Sequence, residues 1–104
     1  MEDLLKLTQI GILYGFYQSL LTEKQKTYFS MYYEKDYSLK EISDYYSISR
    51  NAIYDQIKIV VIKLIELEEK LKLAEKASKR RDYLNKFKET KDEIWLDKIQ
   101  GLDD

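Results

Sequence analysis

A chain of 104 residues, 44% apolar and 36% charged, has room for one modest core and the composition of a folded, soluble helical protein. It contains no cysteine and no histidine, which excludes disulfides, thiolate metal sites and the commonest general base and zinc ligand. Proline is absent and glycine occurs only at positions 11, 15 and 101, so long helices are permitted almost throughout. The expectation is an all-α protein that binds rather than catalyses, with no cofactor and no metal.

The net charge of −1 is unevenly spread. Residues 1–48 carry five basic and seven acidic side chains, and residues 49–69 carry three and four. Residues 70–91 carry nine and three, and residues 92–104 one and five. One cationic stretch therefore lies between acidic ones, and any attraction to nucleic acid concentrates there.

The acidic start Met1-Glu2-Asp3 does not resemble a secretory signal. The first helix is expected over about Leu4–Leu21, with Ile10, Leu13, Tyr14, Tyr17, Leu20 and Leu21 at three- and four-residue steps. Leu7 to Thr22 carries no charge, but these 16 residues include Gln, Thr, Ser and Gly. They read as a buried helix and not a membrane span, which needs about 20 mostly apolar residues. A cytoplasmic protein without membrane insertion follows. Gly11 and Gly15, one turn apart, leave room for a closely packed neighbour, which would compensate the roughly 1 kcal/mol each loses against alanine.

Thr22-Glu23-Lys24-Gln25 is a capping box, and the second helix runs from it to about Glu34, burying Tyr28, Phe29, Tyr32 and Tyr33. Ser38-Leu39-Lys40-Glu41 is another, opening a short third helix that ends near Tyr45. A turn through Tyr46-Ser47-Ile48 leads to Ser49, an N-cap, and a fourth helix from Arg50. Tyr37 with Ile42, and Ile48 with Ile53, occupy hydrophobic-staple positions. Short capped helix, three-residue turn, capped second helix is the helix-turn-helix pattern, here 38–58. Ile42, Tyr46, Ile48, Ile53 and Ile57 supply its small core. Ser47 stands where a glycine is usual, because the backbone there tends to positive φ.

Ile53, Ile57, Val60, Leu64, Leu67, Leu71 and Ala74 then step 4-3-4-3-4-3, a seam that requires a partner helix, in this chain or in a second copy. The seam fades at Ser78, and a last helix is expected over about Asp82–Gln100. The reading is a single all-helical domain, 1–104, with a C-terminal helical extension over 78–104. Its fold class is an all-α helix-turn-helix bundle without a sheet, winged-helix-like or sigma region 4-like, with long C-terminal helices. The seam, the paired glycines and ten tyrosines exceed what one short domain readily buries, which points to a homodimer.

The surface offered to a ligand begins with Ser49, Arg50 and the helix N-terminus, suited to a phosphate. Arg50, Asn51, Tyr54 and Lys58 project outward, and Arg50 and Asn51 have the side chains that read guanine and adenine edges. Asp55 on the same face repels a phosphate backbone. Lys79, Arg80 and Arg81 add cationic reach downstream.

Phe16-Tyr17-Gln18-Ser19-Leu20-Leu21-Thr22, Lys24-Gln25, Tyr32-Tyr33, Ser38-Leu39-Lys40-Glu41-Ile42 and the run from Ser49 to Lys58 together resemble the YlxM family of helix-turn-helix proteins. The similarity covers about residues 14–75. The same stretch more distantly resembles region 4 of bacterial sigma factors, which contacts promoter DNA. Two positions depart from the family pattern: Glu23 where proline is frequent, and Ser43 where alanine is usual, which leaves a hydroxyl in a tight contact. The resemblance implies association with the bacterial signal recognition particle pathway. Three readings follow: a DNA- or RNA-binding regulator, an accessory factor touching the particle's RNA or its GTPases, and an adaptor that kept the fold without DNA readout. The net charge weighs against the first, because tight non-specific binding typically takes six or more phosphate contacts.

Overall fold

With almost nothing in the sequence to stop a helix, the ends of the helices are set by caps and by left-handed residues. The computed structural model describes residues 4–103, with side chains from residue 7 onward. Among the described residues there is no strand, and no helix is long and apolar enough to cross a membrane. The fold is all-α. The chain divides into two compact units, with the boundary between Lys70 and Leu71.

In the first unit, α1 (Leu4–Tyr17) runs into a 3₁₀ turn, Gln18–Leu20. The Thr22 capping box forms as expected: Gln25 N–H donates to Thr22 Oγ1 (3.1 Å) and Thr22 N–H to Gln25 Oε1 (2.9 Å). It starts α2 (Glu23–Phe29), which widens into a π-helical turn, Ser30–Glu34, closed by Lys35 N–H on the Ser30 carbonyl at 3.0 Å. Tyr28 and Phe29 are buried there, whereas Tyr32 and Tyr33 are only half-buried.

The Ser38 capping box is also made, with Glu41 N–H on Ser38 Oγ and Ser38 N–H on Glu41 Oε1, both at 3.0 Å. It opens α3 (Leu39–Tyr46). Ser47 then takes the left-handed conformation, φ 56° and ψ 41°, and α4 (Arg50–Leu71) follows. Ser49 Oγ accepts from Ala52 N–H at 3.1 Å, the third side-chain cap.

The seam of α4 finds its partners within this unit. Val60 and Leu64 pack with Ile10, Tyr14 and Tyr17 of α1, with Leu21 and with Phe29. Ile53 and Ile57 pack with Tyr28 and Ile42, flanked by Tyr46 and Ile48. These two clusters are one helix seated on two sets of neighbours. Tyr17 Oη donates to Glu68 Oε1 at 2.6 Å, and Lys63 Nζ to the Leu20 carbonyl at 3.0 Å, fastening the end of α1 to α4. Tyr37, expected to staple onto Ile42, is exposed and lies outside that cluster.

Three expectations are corrected. Gly11 and Gly15 face open space: a Cβ added to either meets nothing within 4 Å, so none of the described residues packs closely there. The seam stops at the half-buried Leu67, because Lys72 turns left-handed (φ 55°), ends α4 and leaves Leu71 exposed. The chain does not break near Ser78; α5 runs without interruption over Leu73–Thr90.

The next break is at Lys91 (φ 59°), where polar side chains take over from the helix ladder. Thr90 Oγ1 donates to the Lys86 carbonyl and accepts from Asp92 N–H, and Asp92 Oδ1 accepts from Ile94 N–H. The helix expected over Asp82–Gln100 is thus the end of α5 and a separate α6 (Ile94–Gly101). In this second unit α5 and α6 form a hairpin, with Tyr83 stacked on Trp95 at 6.0 Å between ring centroids. None of its described side chains is fully buried.

Candidate nucleic-acid interface

The helix-turn-helix is held from inside by Ile42 and Ile53, both fully buried. Its turn is closed twice: Ile48 N–H donates to the Ser43 carbonyl at 3.2 Å, and the Ser43 hydroxyl donates to the Ile48 carbonyl. The Ser43 hydroxyl is therefore satisfied, by a carbonyl that the turn leaves free.

This core fixes which way α4 faces. With Ile53, Ile57, Val60 and Leu64 turned inward, Asn51, Tyr54, Asp55 and Lys58 fall at i, i+3, i+4 and i+7 on the opposite side. All four are exposed, as are Ser49 and Arg50 at the helix start. The structure thus brings Arg50, Asn51, Tyr54 and Lys58 onto the first three turns of one helix behind the Ser49 cap, with Asp55 among them. Two cations and one carboxylate give this face only a weak positive balance.

One turn further on, the same side of α4 becomes hydrocarbon. Ile62 and Ile65 are exposed, and with Tyr54, Lys58, Tyr32 and Tyr33 they help line a shallow groove of about 310 Å³. The heptad spacing marks only the inward stripe; Ile62 and Ile65 stand beside that seam, and only the packing shows which side is covered.

Lys79, Arg80 and Arg81 lie on α5, in the second unit, and are exposed. Lys79 Nζ pairs with Glu75 at 3.4 Å, as does Lys72 at 3.7 Å, and Arg80 pairs with Asp103 at 3.4 Å. At 100° per residue these three point in different directions, so they do not make one patch. The basic stretch is partly neutralised by its own acids. Sequence reading missed an aromatic–cation group in this unit: Lys86 sits over the Trp95 ring at 4.8 Å and Lys98 at 5.9 Å. Lys86 and Trp95 are nine residues apart, on separate helices, and only the turn at Lys91 brings them together.

Comparison with known proteins agrees with this architecture. A family-wide profile described as "Putative helix-turn-helix protein, YlxM / p13 like" matches residues 4–101. The UPF0122 protein YlxM of Bacillus subtilis is 50% identical over 84 residues, which span 81% of this chain and 76% of that protein. A UPF0122 protein of Bacillus pumilus gives the same identity and coverage. One from Staphylococcus epidermidis is 43% identical over 89 residues, 86% of this chain and 81% of its own length. The chain belongs to this UPF0122, YlxM/p13-like family of helix-turn-helix proteins.

Proposed function

We propose that the protein is a cytoplasmic nucleic-acid-binding regulator that acts by binding and not by catalysis, in the bacterial signal recognition particle pathway. The observation that carries the nucleic-acid reading is the outward face of α4, where a closed helix-turn-helix presents Arg50, Asn51, Tyr54 and Lys58 behind the Ser49 cap. Residues of these types at the start of a second helix suit base edges and phosphates in a major groove. Membership in a helix-turn-helix family supports the reading, and the pathway rests on the family resemblance. Arg50→Ala and Lys58→Ala should each abolish duplex DNA binding in a mobility-shift titration while leaving the far-UV circular dichroism unchanged. Full binding by both variants refutes it.

A second reading is favoured by the charge balance. Residues 70–91 hold nine basic side chains against three acidic, whereas the α4 face is nearly neutral. An accessory factor touching the particle's RNA or its GTPases would use Lys79, Arg80 and Arg81. Neutralising these three should weaken RNA binding and make its salt dependence shallower. Protein indifferent to both DNA and RNA up to about 10 μM at moderate salt is the adaptor, since non-specific affinities lie near that concentration or weaker.

We also propose a homodimer, formed on the outer side of α1. Ile12, Phe16 and Leu20 are exposed there, beside the uncovered Gly11 and Gly15, on a segment without charge. A two-fold interface sets one patch against itself, and an uncharged helix is compatible with its own copy. Sedimentation equilibrium should give twice the chain mass, and Phe16→Glu should return it to the monomer.

A further inference from the structure

In the second unit, α5 sorts its charges by face. Seven residues make close to two turns, so Glu75, Asp82 and Glu89 fall in one column along the helix. These are the only carboxylates α5 has, and its other faces carry none. Written as a heptad with Ala77 and Leu84 at a, the d positions are Leu73, Arg80 and Phe87. The charges at the flanking e and g positions are Arg81, Lys88 and Lys76, all cations. The three acids all stand at f, the position most remote from an a/d seam.

One side of that seam is covered by α6. Tyr83 stacks on Trp95 and Arg80 pairs with Asp103, so α6 lies against the d and g positions. The a and e side is left open. Leu84 is 40% exposed there, Arg81 and Lys88 are exposed, and Leu73 at the start of the seam is 42% exposed.

This unit has little of its own to hold it. Chains shorter than about 40 residues usually depend on disulfides, metals or association. Residues 71–104 contain no cysteine, and among the described ones there is no group of metal ligands and no fully buried side chain. Association is the support that the open face can take.

The face also specifies its partner. Steps of four and seven residues, from Leu73 through Ala77 to Leu84, are the spacing into which a second helix packs its side chains, and the small Ala77 lets it approach closely. Charges at e and g select the partner, and cations alone require glutamate or aspartate opposite them. A second α5 is excluded by the same rule, because its own e and g cations would meet these. The α6 of a second copy is acidic, but its 8 residues span about 12 Å against roughly 22 Å from Leu73 to Lys88. A phosphate backbone would engage the cations and gain nothing from Leu84 and Ala77.

We infer that the open face of α5 binds an acidic amphipathic helix of a partner protein, which completes a three-helix bundle with α6. The inference goes beyond both nucleic-acid readings and depends on neither.

The test is methyl ¹³C NMR on the full chain, titrated with a helical peptide of about three heptads carrying leucine at a and d and glutamate at e and g. A matched peptide with lysine at e and g, a single-stranded RNA and phosphatidylserine vesicles are titrated separately. The glutamate peptide should give saturable shifts at Leu73, Ala77 and Leu84 and leave Ile62 and Ile65 in place. The lysine peptide should not bind. Arg81→Glu combined with Lys88→Glu alters two exposed side chains and should weaken the glutamate peptide about tenfold or more. Asp82→Asn combined with Glu89→Gln, on the far column, should stay within about twofold. The inference is overturned if the glutamate peptide does not saturate below about 1 mM, or if it moves Ile62 and Ile65 as strongly. Equal binding by the lysine peptide or by the double reversal also overturns it, as does RNA or vesicle binding at the same methyls at lower concentration than the peptide.

Discussion

Ser47 is the residue at which the helix-turn-helix holds an L-amino acid in a conformation that glycine adopts freely. At φ 56° and ψ 41°, its Cβ crowds the following carbonyl, a contact worth roughly 1–2 kcal/mol. Ser47→Gly removes that strain. The opposing term is the extra backbone freedom of glycine in the unfolded chain, about 0.4–1 kcal/mol. The hydroxyl adds nothing to the balance, because it makes no hydrogen bond among the described residues. The turn bonds, Ser47 N–H to the Ser43 carbonyl and Ile48 N–H to the same oxygen, are backbone and survive. The net expectation is a stabilisation of about 0.5–1 kcal/mol, seen as a rise of about 2–8 °C in melting temperature for a domain of this size. Urea unfolding followed at 222 nm checks it. Tryptophan fluorescence does not, since the single tryptophan, Trp95, is in the second unit. Ser47→Ala, which keeps the Cβ, should stay within a few tenths of a kcal/mol. A glycine variant no more stable than the parent, at unchanged denaturant slope, refutes the strain at this turn.

Ile42→Ala empties a fully buried position between α3 and α4 and should destabilise the protein by about 2–5 kcal/mol in the same assay; a loss below 1 kcal/mol contradicts the packing. Ser43→Ala strands the Ile48 carbonyl at the turn and should lower stability by about 1 kcal/mol. Tyr17→Phe breaks the 2.6 Å bond to Glu68 and should also lower it by about 1 kcal/mol, because the half-buried carboxylate recovers water. Burial, reinforced by Glu34 and opposed by Lys26, pushes the Tyr14 phenol above the usual tyrosine range. The folded state thus resists ionisation more than the unfolded one, so this contribution is complete below about pH 10 and is lost as pH rises through the folded value. Tyr14→Phe should flatten the alkaline limb of a stability–pH curve above pH 10 and leave it unchanged at pH 7.

Local chemistry was legible without the fold. The Thr22 and Ser38 capping boxes, the Ser49 cap, the positive φ at Ser47 and the core of Ile42, Tyr46, Ile48, Ile53 and Ile57 depend on neighbours a few residues away. These features follow from hydrogen-bond reach and helical period, and together they specify the helix-turn-helix and the outward row of Arg50, Asn51, Tyr54 and Lys58. The ends of the later helices did not announce themselves, because Lys72 and Lys91 are neither glycine nor proline; only at Lys91 do Thr90 and Asp92 give a local reason.

What tertiary structure alone decided is which apolar and which charged groups are already committed. A heptad seam does not say whose helix fills it, and α1, α2 and α3 of the same unit turned out to do so. Paired glycines do not say whether anything approaches them, and among the described residues nothing does. A basic stretch does not say that Glu75 and Asp103 claim part of it, nor ten tyrosines that the Tyr17 hydroxyl is spent on Glu68. Helix signals are settled by bonds within a few residues, whereas occupancy depends on groups far apart in sequence meeting in space. By itself, then, the sequence determined the motif, and the packing decided which surfaces remain for a partner.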